Sequence, residues 1–236
     1  MVSLRRPGGT PRKTLLAWSS GKDSAYALWT LRQDPTVEVV GLLTTLNSSV
    51  DRVSMHAVRT SVLQAQADAA GLPLITIPLP DPCSDEEYQA AMAAVIANAR
   101  AQGVEAMAFG DLFLRDVRAY REAQLAGTDI TPLFPLWDRP TALLAEEMIA
   151  AGMEAVITCV DTDKLDRSFL GRSFDRALLA DLPPGVDPCA ENGEFHSAAI
   201  AGPMFREPLS VVIGETVERG RFLFVDVRLA SREGDE

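Results

Sequence analysis

The sequence predicts an α/β protein in which a parallel sheet covered by helices is followed by a smaller α/β domain ending in antiparallel strands. Three observations carry this reading. From residue 14 short apolar runs alternate with stretches of helical periodicity. The first run, LLAW at 15–18, breaks at SSGKDS and resumes at once as a helical pattern in Ala25, Leu28 and Trp29. Near the end, Leu209–Ile213 and Arg221–Leu229 alternate apolar and polar residues about a glycine-containing connection, which is the signature of antiparallel pairing.

In order, Thr14–Trp18 reads as a strand, Ser24–Arg32 as a helix, Val37–Thr45 as a strand, and His56–Ala70 as a helix stopped by Gly71. Leu74–Ile77 is a short strand before prolines. Ser84–Gln102 is a helix opened by a capping box, Ser84 with Glu87 three residues on. Ala106–Phe109 is another buried strand. Its near-continuous apolar character, like that of the earlier ones, implies burial on both faces of a parallel sheet, whose ligands sit at the carboxyl ends of the strands. The proline-rich segment 128–141 interrupts the rhythm and sets an expected domain boundary near residue 130. The expected organisation is a disordered tail over 1–13, a nucleotide-sized α/β domain over 14–130 and a smaller domain over 131–236. In that second part, Ala142–Ala151 reads as a helix, Ala155–Val160 as a strand and Lys164–Ala180 as a helical stretch.

A chain of 236 residues can bury a real core. The net charge of −11 works against nucleic acid, whose binding rests on neutralising phosphates with lysine and arginine. No run approaches the length of a membrane span, and the basic N-terminus lacks a following apolar region. The three cysteines, Cys83, Cys159 and Cys189, are widely spaced and form no CxxC pair, which fits a reducing compartment and a cytoplasmic location. The alternation of the C-terminal strands would permit edge pairing between subunits, as in a homodimer.

The turn Ser19, Ser20, Gly21, Lys22, Asp23 and Ser24 lies where backbone N–H groups at a helix start point outward and the helix dipole adds positive charge. Serine hydroxyls and the Lys22 ammonium suit phosphate oxygens. Asp23 would repel a bare phosphate, and fits if Mg²⁺ bridges its carboxylate to a polyphosphate. The pattern is not GxxxxGK[ST], since Leu16 and Asp23 stand where that loop needs glycine and a hydroxyl. The plain alternative is that Asp23 or Ser24 only caps a helix.

SSGKDS resembles the SGGxDS pyrophosphate loop of the N-type ATP pyrophosphatases, which cleave ATP between the α and β phosphates. GVDPCAENGEFHS at 185–197, with FGD at 109–111 and PLW at 135–137, is similar to the diphthine–ammonia ligase-like group of these enzymes. The resemblance implies a Rossmann-like (HUP-type) nucleotide domain, ATP with Mg²⁺ as cofactors, adenylation of a carboxylate with loss of pyrophosphate, and displacement of AMP by ammonia or an amine. On this reading Ser19, Ser20, Gly21 and Ser24 cradle the pyrophosphate, Lys22 neutralises it and Asp23 holds Mg²⁺. Glu191, Asn192 and Glu194, with Cys189, Gly193 and His196 beside them, meet the second substrate. The segment SMHAVR would put His56 and Arg59 on the active rim. Three departures are visible: Ser20 and Ala190 replace family glycines, and LFLRDVRAYRE lacks a tyrosine-rich form. Glycine matters at such positions where φ is positive.

Asp187, Cys189, Glu191, Glu194 and His196 crowd ten residues. Such a set could bind an amine, accept a proton from attacking ammonia, or ligate metal. Cys189 with His196 also admits a thiol nucleophile or a zinc site, and the plain alternative is a polar turn leading into a strand at Phe195. Gly110 and Asp111 close a strand at its carboxyl end, where a glycine lets a nucleotide approach and an aspartate holds substrate or metal. Arg115, Arg118 and Arg121 form a cationic stripe, and Trp18, Trp29 and Trp137 read as packing. Two other functions use the same features: a nucleotide-binding regulator without chemistry, and a tRNA-modifying enzyme with this loop.

Overall fold

The computed structural model describes residues 9–47, 52–53 and 58–230. β1 (Arg12–Ala17) runs between β2 (Val37–Asn47) and β5 (Ala106–Ala108), parallel to both. β4 (Leu74–Leu79) adds beyond β2 and β6 (Thr131–Leu133) beyond β5, also parallel, while the short β3 (Arg52–Val53) pairs antiparallel with the end of β2. The connecting helices are α1 (Lys22–Arg32), α2 (Thr60–Ala70), α3 (Asp85–Ala101) and α4 (Arg115–Leu125). Strand order therefore grows outward in one direction from β1 through β2 to β4, and in the other from β5 to β6. The reversal between β1 and β5 opens a crevice at their carboxyl ends, the place where such sheets bind ligands. The Rossmann-like expectation holds.

The second part begins with α5 (Thr141–Ala150) and forms an antiparallel sheet. Its strands are β7 (Glu154–Asp161), β8 (Phe195–Ala201), β9 (Val211–Arg219) and β10 (Phe222–Leu229), in the order β8, β7, β10, β9. The expected C-terminal hairpin is β9 and β10, turning at Gly220 with φ 60°. β9 is the sheet edge, with Val212, Ile213 and Val217 exposed.

Alternation along β1 explains how one strand serves two cores. Leu16 joins a cluster with Leu28, Leu63, Leu144, Ile157 and Phe195, continuous across both sheets. Leu15 faces the other side with Leu43, Met92, Ile96 and Phe109. Each fully buried side chain of this kind contributes about 1.5–3 kcal/mol relative to exposure. Among the described helices none is long and apolar enough to cross a membrane.

Several boundaries differ from expectation. β1 starts at Arg12, so Arg12 and Lys13 pair with Val37 and Glu38 and are not part of a tail; residues 1–8 lie outside the described residues. The stretch Lys164–Ala180 is not one helix. Asp166 caps a single 3-10 turn, Arg167–Phe169, Gly171 takes φ 79°, and Asp175 caps a new helix, α6 (Arg176–Asp181). Two N-caps and a left-handed glycine within ten residues cannot sit inside one continuous helix. β6 lies just past the expected boundary near 130 and completes the first sheet, so that sheet runs to Leu133. The capping box at Ser84 is present with both of its bonds.

Candidate active site

β1 ends at Ala17 and α1 begins at Lys22, so the whole reversal falls on Trp18 to Gly21. Gly21 is the N-cap and carries no side-chain cap hydrogen bond. Neither Asp23 nor Ser24 caps the helix, which removes the plain reading of the turn. Ser24 Oγ donates to the Gly21 carbonyl at 3.0 Å and Ser19 Oγ to Ser24 Oγ at 3.2 Å. Ser20 has φ 72°, the left-handed conformation that costs a residue other than glycine about 1–2 kcal/mol. Its carbonyl accepts from the Ala199 N–H at 2.9 Å and from Gln66 Nε2 at 3.0 Å. Ser20 is fully buried, and it is not among the residues lining the cavity.

That cavity, about 370 Å³, lies at the crevice between β1 and β5. One wall is the turn, through Ser19, Gly21, Asp23 and Ser24; the other is Ala190, Glu191, Gly193 and His196. Leu43, Ile77, Tyr88 and Met92 form an apolar end. Gly110 is required by close approach: a Cβ there would stand 3.0 Å from Ser24 N and 3.1 Å from Asp23 C. The FGD segment is thus pressed against the phosphate turn.

Lys22 is only 2% exposed. Its ammonium donates to Asp23 at 2.9 and 3.0 Å and to the Cys189 carbonyl at 2.5 Å, and lies 5.5 Å from the ring centres of Phe174 and Phe195. Burial opposes its charge, but Asp23, Cys189 and Glu191 outweigh burial and raise its pKa. The Lys22 N–H also donates to Ser197 Oγ at 3.2 Å. The first helix is therefore tied to the second sheet by its own first residue.

Glu191 reaches back to the loop between β5 and α4, where its Oε1 accepts from the Leu112 N–H at 2.8 Å and the Phe113 N–H at 3.4 Å. Burial pushes its pKa up to about 7; the backbone donors oppose this, and the Asp23 and Asp111 charges add to it. His196 is brought down to about 4, by burial first and then by Lys22, so it is neutral at pH 7. Burial also raises Asp111, with Arg121 acting the other way. The buried Asp111 Oδ2 has Arg121 Nε at 3.7 Å, beyond hydrogen-bond reach.

The remaining expected residues divide. Glu194 is 3% exposed and holds the facing turn from within, Oε1 accepting from the Asp187 N–H at 3.1 Å and from Asn192 Nδ2 at 3.2 Å. The Asn192 carbonyl accepts from Lys164 at 2.5 Å. Neither Asn192 nor Glu194 lines the cavity. Cys189 does, but burial pushes its thiol up to about 12, and Sγ donates to the Thr141 carbonyl at 3.4 Å. A nucleophilic thiol needs the opposite shift and a basic histidine, so the thiol-nucleophile reading fails. Arg59 is off the cavity wall: its guanidinium makes a bidentate pair with Asp226 on β10, both bonds at 2.8 Å. His56 lies outside the described residues. Among the stripe arginines, Arg121 reaches the cavity, while Arg118 stacks over Phe134 and Trp137. Sequence reasoning missed Gln66, Ser197, Thr44 and Tyr88; Ser197 closes the quoted segment and was within reach, whereas the others carry no local signal.

Residues 12–123 match the family model of the diphthamide synthase N-terminal domain, and residues 140–231 that of the C-terminal domain. The chain belongs to the diphthine–ammonia ligase-like family. Family membership covers both walls of the cavity, since the turn lies in the first match and the facing segment in the second. Relatives include the diphthine–ammonia ligase of Bos taurus, 26% identical over 89% of this chain and 86% of that protein. That of Rattus norvegicus is 32% identical over 42% of this chain and 39% of its own length. A third, from Schizosaccharomyces pombe, is 25% identical over 43% of this chain and 18% of that protein.

Proposed function

We propose that the protein is an ATP-dependent amide ligase. It adenylates a carboxylate with release of pyrophosphate and then passes the acyl group to ammonia or an amine with release of AMP. The observation that carries this is the uncapped start of α1 facing Glu191 and His196 across one cavity, in a chain whose two halves match the two domains of a family of such ligases.

ATP fits with its base toward Leu43, Tyr88 and Met92 and its phosphates at Ser19, Gly21 and Ser24. A carboxylate oxygen attacks the α phosphorus, and the bond to the bridging oxygen breaks toward the turn. The partial charge of the helix start and the Lys22 field stabilise the departing pyrophosphate. Ammonia then attacks the acyl carbon, AMP leaves, and Glu191, poised near neutrality, takes the proton the nitrogen sheds. Neutral His196 offers an acceptor to orient the amine. Glu194 and Asn192 act by shaping the turn that presents Glu191.

Magnesium fits the same site. Asp23 and Asp111 face one cavity, and Asp111 has a buried oxygen that takes no hydrogen bond among the described residues. Among the described residues no group of three or more His, Cys, Asp or Glu is arranged as a metal cage. That suits Mg²⁺, which takes one or two carboxylates and completes its shell with phosphate oxygens and water. When bound it supplies charge neutralisation of the phosphates. We read residues 12–133, which hold the first sheet and its helices, as the nucleotide part and the segment from α5 onward as the substrate part. The free cysteines support a cytoplasmic setting.

The test is a pyrophosphate-release assay with ATP, Mg²⁺ and ammonium. The carboxylates are a diphthine-bearing protein, as the relatives' names suggest, and a pool of small carboxylate metabolites. Carboxylate-dependent formation of AMP and pyrophosphate is expected. Tight ATP binding without any AMP would instead indicate a nucleotide-binding regulator.

A further inference from the structure

We infer that Gln66 is a positioning residue for the phosphate turn, holding the peptide between Ser20 and Gly21 in the orientation that aims the Gly21 N–H at the cavity. The inference rests on the ligase reading above and adds a residue on a different element, far from the turn in sequence.

Gln66 lies in α2 and is fully buried. Its side-chain amide makes three hydrogen bonds. Nε2 donates to the Ser20 carbonyl at 3.0 Å and to the Ala199 carbonyl at 2.7 Å, and Oε1 accepts from Trp18 Nε1 at 2.9 Å. The amide cannot be reversed: Oε1 would then face two carbonyl oxygens, and Nε2 would face an indole N–H. Its two donors and one acceptor match what the residues flanking the turn present, so the side chain works as an oriented clamp between Trp18, Ser20 and β8.

The consequence for the turn follows from peptide geometry. In a trans peptide the C=O and the following N–H point in opposite directions. The Ser20 carbonyl is drawn to Gln66 and to the Ala199 N–H, neither of which lines the cavity. The Gly21 N–H therefore points to the cavity side. There it donates to Ser19 Oγ at 3.4 Å, a long bond that a phosphate oxygen can replace. The same arrangement requires Ser20 at φ 72°. Returning Ser20 to a negative φ would swing its carbonyl off Gln66 and turn the Gly21 N–H from the phosphates. Gln66 thus offsets the strain of a serine where glycine would be free.

Gln66→Met keeps side-chain length and removes all three bonds. AMP formation is compared in wild type, Gln66→Met, Ser20→Gly and the double variant, with circular dichroism to establish folding. Loss of an aimed backbone donor predicts a fall in kcat of roughly 10- to 100-fold for Gln66→Met, with the KM of the carboxylate little changed. In that background Ser20→Gly recovers part of the loss, because glycine holds a positive φ without help. A merely structural Gln66 would give additive effects and no recovery. A fall of less than about twofold, or no recovery by Ser20→Gly, overturns the inference. Should Gln66→Met not fold, a wild-type crystal soaked with a non-hydrolysable ATP analogue decides. The Ser20 carbonyl is expected on Gln66 and the Gly21 N–H on a phosphate oxygen, and a reversed peptide overturns it. Wild type that makes no AMP would sink the ligase reading instead, leaving the crystal test of the turn in force.

Discussion

The phosphate turn at 19–24 and the facing turn at 186–193 each place one residue other than glycine in the left-handed region, Ser20 at φ 72° and Ala190 at φ 59°. They hold it by different means. Around Ala190 the bonds are local: Asp187 accepts from the Ala190 N–H at 2.8 Å through its carbonyl and from the Glu191 N–H at 2.9 Å through its carboxylate, and the Gly193 N–H closes on the Ala190 carbonyl at 3.0 Å. Around Ser20 the one local bond, from the Gly21 N–H to Ser19 Oγ at 3.4 Å, is long, and the shorter ones are distant, coming from Gln66 on α2 and Ala199 on β8. Because the Ser20 carbonyl is held in part by Ala199 on the second sheet, the nucleotide wall depends on the substrate wall for its shape.

The largest test of that dependence is Lys22→Ala, which cuts the contact between the two turns at the Cys189 carbonyl. AMP formation is expected to fall by about 100-fold or more. Stability also falls, by about 1–3 kcal/mol, because the carbonyl and Asp23 lose a charged donor in a largely buried place. A urea melt beside the AMP assay separates the two effects. Normal turnover would mean that the turns act independently.

Glu191→Gln probes the same junction through pH. With its folded pKa raised to about 7 from 4.5, Glu191 keeps its proton in the folded chain over a window in which the unfolded chain gives it up. Its contribution to stability is full below the unfolded value and is lost as pH rises through about 7. Gln cannot titrate, so the variant should lack this decline and melt higher than wild type at pH 8. The amidation rate should show the opposite limb, rising through neutrality in wild type as Glu191 ionises, and staying low and flat in the variant, about 100-fold down. A wild-type limb preserved in Glu191→Gln would assign the proton acceptor elsewhere.

What the sequence made legible follows the same division. The main strands and helices through β5 and the capping box at Ser84 are local patterns, readable with errors of a few residues, whereas β3 and β6 gave no such pattern and Lys164–Ala180 read as one helical stretch where the chain makes two short turns of helix. The density of ionisable groups in GVDPCAENGEFHS marked a site, and Glu191 and His196 do line it. Which carboxylate points where was not legible. Glu191 is drawn to the Leu112 N–H and Glu194 to the Asp187 N–H, and that choice is made by the docking of the two halves. Arg59 read as a rim residue because its partner, Asp226, is 167 positions away. Gln66 carries no signal at all, since a glutamine in a helix is ordinary until the carbonyls it meets are known.

Gly110→Ala tests the close approach of the segment after β5 to the start of α1. The added Cβ would meet backbone atoms of Asp23 and Ser24 at 3.0–3.2 Å, which cannot move aside as a flexible side chain would. Destabilisation of about 1–3 kcal/mol is expected. The KM for ATP should rise, because relief comes by pushing the start of α1 off its place. Unchanged melting would show that the junction has slack.

The smallest effects separate the two turns most cleanly. Ala190→Gly relieves left-handed strain of about 1–2 kcal/mol, but glycine also loosens the unfolded chain by about 0.5–1 kcal/mol, so its net gain is a fraction of a kcal/mol. Ser20→Gly relieves the same strain and removes a buried hydroxyl that has no hydrogen-bond partner among the described residues, so its gain should be the larger. Thermal melting of the two single variants measures this directly. If Ala190→Gly stabilises as much as Ser20→Gly, the buried hydroxyl costs nothing. If Ser20→Gly destabilises, then the serine makes a bond in solution that the long-range scaffold of this turn does not reveal, and the two turns are more alike than their partners suggest.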